Sequence, residues 1–271
     1  MTEEIIPVFR YRPGRIPMLI SIPHLGAHLP PAIAAGMTEE ALRVPDTDFH
    51  VDRLYTFAES LGCHILMATH SRYVIDLNRA PDGAALYPGA SNTELCPTTT
   101  FHDAEIYRPG ERPGTAEIDR RREAYWKPYH DKLAAILAEL KAHSGKAVLF
   151  DAHSIASVVP RFFQGKLTDI NLGTAAGASC ESRLADAVEA AARAQDRYSV
   201  AMNGRFKGGY ITRQYGTPAH GINAVQLELS WATYMNENYP FAYRPDLADQ
   251  VIAAVLRPVI EALANSVSPV R

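Results

Sequence analysis

The sequence predicts an α/β protein in which helices cover a largely parallel or mixed central sheet. Short apolar segments rich in β-branched residues recur along the 271-residue chain, and helical patterns separate them. Their apolarity is continuous rather than alternating, which is typical of strands that are buried on both faces. The composition, 47% hydrophobic and 21% charged, fits a globular protein with a sizeable core. Because no shift in composition marks a boundary, we expect a single domain over residues 1–271.

Six segments are predicted to be strands, because each is a short apolar run with polar or turn-forming neighbours. They are 18–23 (MLISIP), 63–68 (CHILMA), 73–77 (YVIDL), 147–152 (AVLFDA), 170–173 (INLG) and 224–229 (AVQLEL). Four segments between or after them have helical periodicity and are predicted to be helices. They are 47–61, which ends at Gly62, 115–143, 181–195 and 246–264. Pro128 is expected to kink or divide the second of these helices, since proline lacks an N–H donor.

One long segment, residues 80–114, fits neither pattern. It is rich in Pro, Gly and Thr and is too long for a simple connection. Segments of this kind are usually irregular and often cover active sites. The sequence leaves open whether this one closes over a substrate.

Charge and cysteine content restrict the function classes. A net charge of −3 gives neither a basic surface for nucleic acid nor a polybasic membrane signal. No apolar stretch approaches the ~20 residues that span a bilayer, and the first residues lack the apolar region of a signal peptide. Cys63, Cys96 and Cys180 are far apart and odd in number, which favours reduced thiols and a cytoplasmic location. The oligomeric state stays open.

Polar residues stand at the ends of three predicted strands. His24 and His28 follow the first strand, His153 follows AVLFDA, and Glu228 interrupts AVQLEL near its end. Ligands of open α/β sheets gather outside the carboxyl ends of the strands. If these strands are neighbours, His24, His153 and Glu228 share one crevice. His28 is the rival of His24, although we expect it to be a loop or capping residue.

Two imidazoles and one carboxylate are a common zinc set that leaves one position open for water. Zinc lowers the pKa of such water, and a second carboxylate can then accept its proton. The acids that could complete the set are Asp46, Asp48, Asp52 and Asp151. The segment DTDFHVD, residues 46–52, has the pattern of a capped helix start, in which Asp48 and Asp52 would share one face.

A second group of residues is basic. It comprises Arg72, Asn78 and Arg79 in SRYVIDLNR, and Arg213 and His220 in the glycine-rich stretch around residues 203–221. The planar fork of arginine binds carboxylates in a bidentate manner, so arginines beside a metal suggest an anionic substrate. Arg205 and Lys207 of the same stretch are expected to be solvated surface charges. Ser154 lacks the GxSxG context of a serine hydrolase nucleophile.

Taken together, these stretches resemble the N-formylglutamate amidohydrolases. The similarity is carried, from about residue 18 to 247, by SIPHLGAHLP, DTDFHVDRLY, SRYVIDLNR, WKPYH, DAHSI, NGRFKGGYITRQYG and AVQLELS. The family is similar to the zinc carboxypeptidases and aspartoacylases, which implies a phosphorylase/hydrolase-like three-layer fold with a mixed central sheet flanked by helices. The resemblance implies hydrolysis of N-formyl-L-glutamate to formate and L-glutamate, a step of histidine degradation.

The resemblance also implies roles for individual residues. His24 and His153 match the histidine ligands of one zinc ion per chain, and Glu228 matches the base. The relatives carry the acidic ligand as HxxE, which HLGAH lacks, so we expect Asp48 to be the ligand, with Asp52 as the alternative.

The implied substrate contacts come from the basic group. DLNR is similar to the aspartoacylase motif whose Asn and Arg bind the substrate carboxylate, which points to Asn78 and Arg79. Arg213 and His220 would complete the substrate site, and Arg72 would polarise the scissile carbonyl.

Alternatives remain at this point. The metal could be another divalent ion, because the donor set is not selective for zinc. A related N-acyl amino acid deacylase or carboxypeptidase-like zinc hydrolase would share these residues and differ in its acyl pocket. A non-catalytic binder of acidic amino acids would have no need of Glu228, which argues against that function.

Overall fold

Seven strands form one mixed sheet in the computed structural model, which describes residues 6–86 and 91–267. They are β1 (Phe9–Arg12), β2 (Met18–Ile22), β3 (His64–Ala68), β4 (Ala147–Ile155), β5 (Ile170–Gly173), β6 (Val200–Met202) and β7 (Ile222–Ser230). Their order in the sheet is β1-β3-β2-β4-β7-β5-β6. The four central strands β3, β2, β4 and β7 are parallel, whereas β1 is antiparallel to β3 and β5 to β7. The predicted mixed sheet is confirmed.

Nine α-helices lie in the described residues, and four of them form two composite segments. They are α1 (Pro31–Ala34), α2 (Val51–Leu54), α3 (Ala58–Leu61), α4 (Thr115–Arg121), α5 (Lys127–Ser144), α6 (Ser182–Arg193), α7 (Tyr210–Tyr215), α8 (Pro245–Val251) and α9 (Arg257–Val267). A π-helical turn joins α4 to α5 and another joins α8 to α9, at Arg122–Trp126 and Ile252–Leu256. Each turn precedes a proline, Pro128 or Pro258, that cannot donate to the turn before it. The division expected at Pro128 is therefore confirmed.

Helices cover both faces of the sheet, which gives three layers. On one face, Ile20, Phe150 and Leu227 pack against residues of α6, α8 and α9. On the other face, Leu19 and Leu149 pack against residues of α5 and α7. All five side chains are fully buried, in agreement with the continuous apolarity of the strands. The predicted three-layer α/β fold is confirmed, and no helix in the described residues has the length and apolarity of a membrane span.

The strand predicted at 73–77 is wrong. These residues form turns, and the backbone N–H of Asp76 donates to the carbonyl of Leu95 at 2.7 Å. The run is apolar because it is buried beside the sheet, and periodicity alone does not separate a buried strand from a buried turn. The described part of segment 80–114 contains isolated bridges but no helix or strand, as predicted, and its residues 87–90 lie outside the described ranges.

The single helix predicted over 47–61 is also wrong. His50 has a φ of 63°, in the left-handed region that interrupts a helix, and only α2 and α3 form after it. Asp48 consequently lies before α2 rather than on the same helix as Asp52. The predicted end at Gly62 is confirmed. The sequence patterns also missed β1 and β6, two short strands at the edges of the sheet.

One face of the two central strands β4 and β7 changes character along its length. On this face of β4, the apolar Leu149 is followed towards the carboxyl end by Asp151 and His153. On β7 the same face carries Gln226 and Glu228, which are in register with Asp151 and His153. Alternate residues of a strand share a face, so these four polar groups project together from the carboxyl ends of neighbouring strands.

Candidate metal centre and substrate cavity

Three buried side chains converge at the carboxyl ends of β2 and β4. The Nδ1 atoms of His24 and His153 are 3.1 Å apart. Asp48 Oδ2 lies 3.2 Å from Nδ1 of His153 and 3.8 Å from Nδ1 of His24. Ligands placed tetrahedrally at zinc–nitrogen distances would be about 3.4 Å apart. The three separations therefore fit a tetrahedral metal site with one position left over.

A carboxylate accepts a hydrogen bond from the far nitrogen of each imidazole. His24 Nε2 lies 2.7 Å from Asp76 Oδ1, and His153 Nε2 lies 2.9 Å from Asp151 Oδ2. In neutral rings these bonds would keep the protons on Nε2 and leave both Nδ1 lone pairs facing the Asp48 carboxylate, an arrangement common among metal-binding histidines. Two lone pairs and a carboxylate oxygen facing one another in a buried site are a donor set that fits a divalent cation.

The charges around this group keep its carboxylates ionised. Burial alone would raise the pKa of Asp48, but His153, His24 and the nearby Arg72 outweigh it and lower that pKa. Burial would also raise the pKa of Asp76, but His24, Arg79 and Arg72 outweigh it and hold that pKa well below its usual value. Burial, helped by Arg72, lowers the pKa of His24 and favours the neutral imidazole that can bind a metal.

The backbone rather than a helix places Asp48. Its N–H donates to the carbonyl of His24 at 3.0 Å, and its Oδ2 accepts from the N–H of Ser154 at 3.1 Å. Asp52, the alternative expected from sequence, is half-buried on α2 and stands outside the group. Asp46 is occupied elsewhere, because its Oδ2 accepts from Tyr73 Oη at 2.6 Å. The acid that the structure brings to the two histidines is thus Asp48.

Glu228 lies beside His153 on the neighbouring strand and lines the same cavity. Gln226 donates from Nε2 to Glu228 Oε2 at 3.4 Å, and its own Oε1 accepts from the N–H of Gly209 at 2.6 Å. The second bond fixes which end of the Gln226 amide faces Glu228. Burial raises the pKa of Glu228 to about 8, in the range that suits a proton carrier near neutral pH. A cation in the adjacent group would shift it towards the ionised form.

Arg72 is buried against the same group. Its Nη2 donates to Asp76 Oδ2 at 3.1 Å, and its Nη1 donates to the carbonyl of Asp46 at 3.2 Å. The guanidinium carbon lies 4.8 Å from the ring centre of Phe101. Its Nε is buried and has no hydrogen-bond partner within residues 6–86 and 91–267. Such a donor is available to a bound group.

A cavity of about 580 Å³, including its open mouth, connects these residues with solvent. Besides the metal group it is bordered by three arginines, by aromatic rings and by residues of the irregular segment 80–114. The lining comprises His24, Arg72, Asn78, Arg79, Leu86, Ser91, Asn92, Phe101, His153, Ile155, Phe162, Arg205, Phe206, Gly209, Gln226 and Glu228. The three arginines in this wall suit an anionic ligand.

Asn78 and Arg79 border the cavity, and both also support its wall. Asn78 Nδ2 donates to Asp151 Oδ2 at 3.3 Å, and its Oδ1 accepts from the N–H of Ile211 at 2.8 Å. A Cβ at Gly209 would lie 2.3 Å from the Asn78 amide nitrogen, so only glycine permits this approach. Arg79 donates from Nη2 to Thr93 Oγ1 at 2.7 Å.

Two predicted substrate residues lie away from this cavity. His220 is exposed in the turn before β7. Glu228 is near the other end of that strand, and the rise per residue of a strand places it about 20 Å from the strand's start. Arg213 is exposed on α7, donates from Nε to the carbonyl of Gly208 at 2.8 Å and is not part of the lining. Their proximity to the glycine-rich motif in sequence suggested otherwise, but α7 buries Ile211 and turns residue 213 outward.

Arg205 is the opposite case. It was expected to be a solvated surface charge, yet it is half-buried and lines the cavity, whereas Lys207 is exposed as expected. Sequence patterns also missed Asp76 and Gln226, which orient His24 and Glu228. A signal was present for both, since each interrupts an otherwise apolar run, in YVIDL and in AVQLEL.

Comparison with known proteins gives one consistent family. The model of the N-formylglutamate amidohydrolase family matches residues 16–235. The chain is 52% identical over 256 residues to an N-formylglutamate deformylase of Pseudomonas aeruginosa, with 94% of this chain and 96% of that protein covered. A protein of the same description from Pseudomonas putida is 48% identical, with 94% and 95% covered.

Solved structures agree with this result. The crystal structure of an N-formylglutamate amidohydrolase from Ralstonia eutropha matches with a TM-score of 0.81 and 27% identity, over 97% of this chain and 100% of that chain. A protein of Agrobacterium tumefaciens, 21% identical over 96% of each chain, shares the fold with a TM-score of 0.72. The family match over most of the chain and the identities near one half decide the assignment: the chain belongs to the N-formylglutamate amidohydrolase family.

Proposed function

We propose that this protein hydrolyses N-formyl-L-glutamate to formate and L-glutamate. The observation that carries the proposal is the register of β4 and β7, which sets Glu228 beside a buried His–Asp–His group at the floor of an arginine-lined cavity. The relatives named N-formylglutamate deformylase, at 52% and 48% identity, support the choice of substrate.

We propose that Nδ1 of His24, Nδ1 of His153 and Oδ2 of Asp48 hold one zinc ion per chain. Their separations and the carboxylates behind both imidazoles support this ligand set. A zinc ion supplies Lewis acidity, which polarises a carbonyl and acidifies water. Another divalent ion that prefers nitrogen and oxygen donors is the alternative.

Glu228 acts as the proton carrier in this proposal. Its carboxylate takes a proton from the attacking water while the oxygen bonds to the formyl carbon, and it returns that proton to the amine nitrogen when the C–N bond breaks. The bond from Gln226 holds one carboxylate oxygen in place during both transfers. The guanidinium of Arg72 faces the charge that develops on the formyl oxygen, a contact that strengthens in the transition state.

Arg79, with Asn78 beside it, binds a substrate carboxylate in this proposal. Both residues line the cavity next to the metal group, which supports the role. Asn78 has little hydrogen-bonding capacity left for a substrate, because its side-chain amide already bonds to Asp151 and to the N–H of Ile211. We expect it to act mainly by holding the wall against which the substrate rests.

We also propose a cytoplasmic location, a single domain and a role in histidine degradation. The free cysteines Cys63, Cys96 and Cys180 are buried thiols, which supports a reducing compartment such as the cytoplasm. The cavity draws on residues from 24 to 228, which supports treating residues 1–271 as one domain. Release of formate from an N-formyl amino acid would serve histidine degradation.

The test is turnover by the purified, zinc-loaded protein, with release of L-glutamate measured for N-formyl-L-glutamate and N-acetyl-L-glutamate. We expect the formyl substrate to be hydrolysed faster, whereas equal or faster deacetylation would favour a broader N-acyl amino acid deacylase. Glu228→Gln should keep its zinc and lose about 10²- to 10⁴-fold in kcat. The control is Glu181→Gln at an exposed position outside the cavity. Full turnover by zinc-loaded Glu228→Gln would contradict the mechanism.

A further inference from the structure

The cavity is cationic on two opposite flanks. Arg72 and Arg79 come from the turns that follow β3, on one side of the strands that carry the metal group. Arg205 comes from the connection between the edge strand β6 and α7, on the other side. In the sheet order, β2 and β4 lie between β3 and β6. A bound anion can therefore meet positive charge from both directions.

The side chain of Arg205 is oriented by its surroundings. Its Nε donates to the carbonyl of Phe162 at 2.6 Å. The guanidinium carbon lies 5.3 Å from the ring centre of Phe206 and 6.0 Å from that of Phe162, and both rings line the cavity. A guanidinium held between a carbonyl and aromatic rings is pre-organised for a planar anion such as a carboxylate.

We propose that Arg205 binds the side-chain carboxylate of the substrate, which makes it the residue that selects acidic N-formyl amino acids. The inference rests on the proposed function. The α-carboxylate is separated from the scissile nitrogen by Cα alone, so it must stay near the metal group. Arg79 is on that side, since its Nη1 is 3.9 Å from Asp76 Oδ2, and Asp76 also holds His24. The side-chain carboxylate extends away on two methylenes, towards the flank that Arg205 occupies.

This assignment predicts a specific pattern of selectivity. A site that pairs a cation with a substrate carboxylate rejects the uncharged amide, because the guanidinium would then be desolvated without its partner. The wild-type protein should prefer N-formyl-L-glutamate to N-formyl-L-glutamine by about 10²- to 10³-fold in kcat/KM, the scale of a buried charge pair. N-formyl-L-glutamine differs from N-formyl-L-glutamate only in its side-chain amide, so the formyl group and the α-carboxylate are the same in both compounds.

The experiment combines substrate and protein changes. Arg205→Met should lose about 10²- to 10³-fold in kcat/KM on N-formyl-L-glutamate, chiefly through KM, and should change turnover of N-formyl-L-glutamine by no more than about threefold. Retained turnover of the amide also shows that the variant is folded and holds its metal. Arg205→Lys should keep part of the preference, since it keeps the charge without the planar fork. Arg183→Met, at an exposed position of α6, is the matched control and should behave as the wild type.

Each other outcome has a defined meaning. Equal losses on both substrates in Arg205→Met, with no recovery in Arg205→Lys, would overturn the assignment. So would a loss that disappears with the α-amide of N-formylglutamate instead of the side-chain amide, because Arg205 would then bind the α-carboxylate. If the wild-type protein hydrolyses none of these compounds, the proposed function fails. A preference for N-formylglutamate over N-formylglutamine that is equal in the wild type and in Arg205→Met would refute only the present inference.

Discussion

His130 is expected to make the protein less stable in mild acid. It is buried on α5, where Nε2 donates to the carbonyl of Leu77 at 2.8 Å and Nδ1 accepts from Tyr215 Oη, 3.0 Å away. Its ring stacks on Trp126 with centres 3.7 Å apart. Burial lowers the pKa of His130 to about 4 from an ordinary value of 6.5, because the charged ring would lose its hydration.

The sign and size of the effect follow from proton linkage. Between pH 6.5 and pH 4 the unfolded chain binds a proton that the folded protein refuses, so the free energy of unfolding falls as the pH falls. With these two pKa values, the loss from pH 8 to pH 5 is about 2 kcal/mol, and it reaches about 3 kcal/mol at lower pH. Above pH 7 both states are neutral and His130 adds no pH dependence.

The assay is urea unfolding of the wild type and of His130→Gln at several pH values from 8 to 5. The difference between the two proteins removes the titration of all groups they share. We expect their difference in unfolding free energy to shrink by about 2 kcal/mol as the pH falls, because only the wild type loses this stability. His143→Gln, exposed on the same helix, is the control. Parallel curves for His130→Gln and wild type over the whole range would refute the reasoning.

Three other substitutions test the site. Asp48→Asn should lose nearly all tightly bound zinc while Asp52→Asn keeps about one ion per chain, as measured by metal analysis, and the reverse result would reassign the ligand. Gln226→Leu should lower kcat by about tenfold or more with unchanged zinc content, since Glu228 loses its amide donor; an unchanged kcat would remove this positioning role. Arg213→Met should stay within about twofold of the wild-type kcat/KM, because the residue is an exposed one outside the cavity, and a large rise in KM would restore the role expected from sequence.

The fold was predictable where burial has a simple signature. The strands at the centre of the sheet are buried on both faces, so β2, β4 and β7 are mainly apolar and could be predicted as strands. The same signature failed at 73–77, where the burial comes from turns packed beside the sheet. It also failed at β1 and β6, because short edge strands are only partly buried.

The residues of the site also differ in whether the sequence pattern could predict them. His24, His153 and Glu228 could be selected together, because polar residues at the ends of adjacent strands must meet whatever the loops do. The choice between Asp48 and Asp52 depended on one backbone angle, at His50, which no periodicity reports.

The arginines of the glycine-rich stretch depended on local geometry in a similar manner. Arg205 lines the cavity and Arg213 does not, because the connection crosses the sheet to Gly209 before α7 begins. Charge and composition are alike at the two positions, so only the path of the chain separates them.

The pairing of β4 with β7 also limits how such a protein can change over generations. A chain shortened by one residue just before Glu228 could keep its ladder of hydrogen bonds, yet it would turn a leucine, Leu227 or Leu229, towards the cavity. The same shift would turn Glu228 into the apolar packing that Leu227 and Leu229 occupy, so the product would lose stability as well as the site. Apolar positions on the opposite face can exchange for residues of similar volume at small cost, whereas the spacing from Gly221 to Glu228 tolerates neither a gain nor a loss.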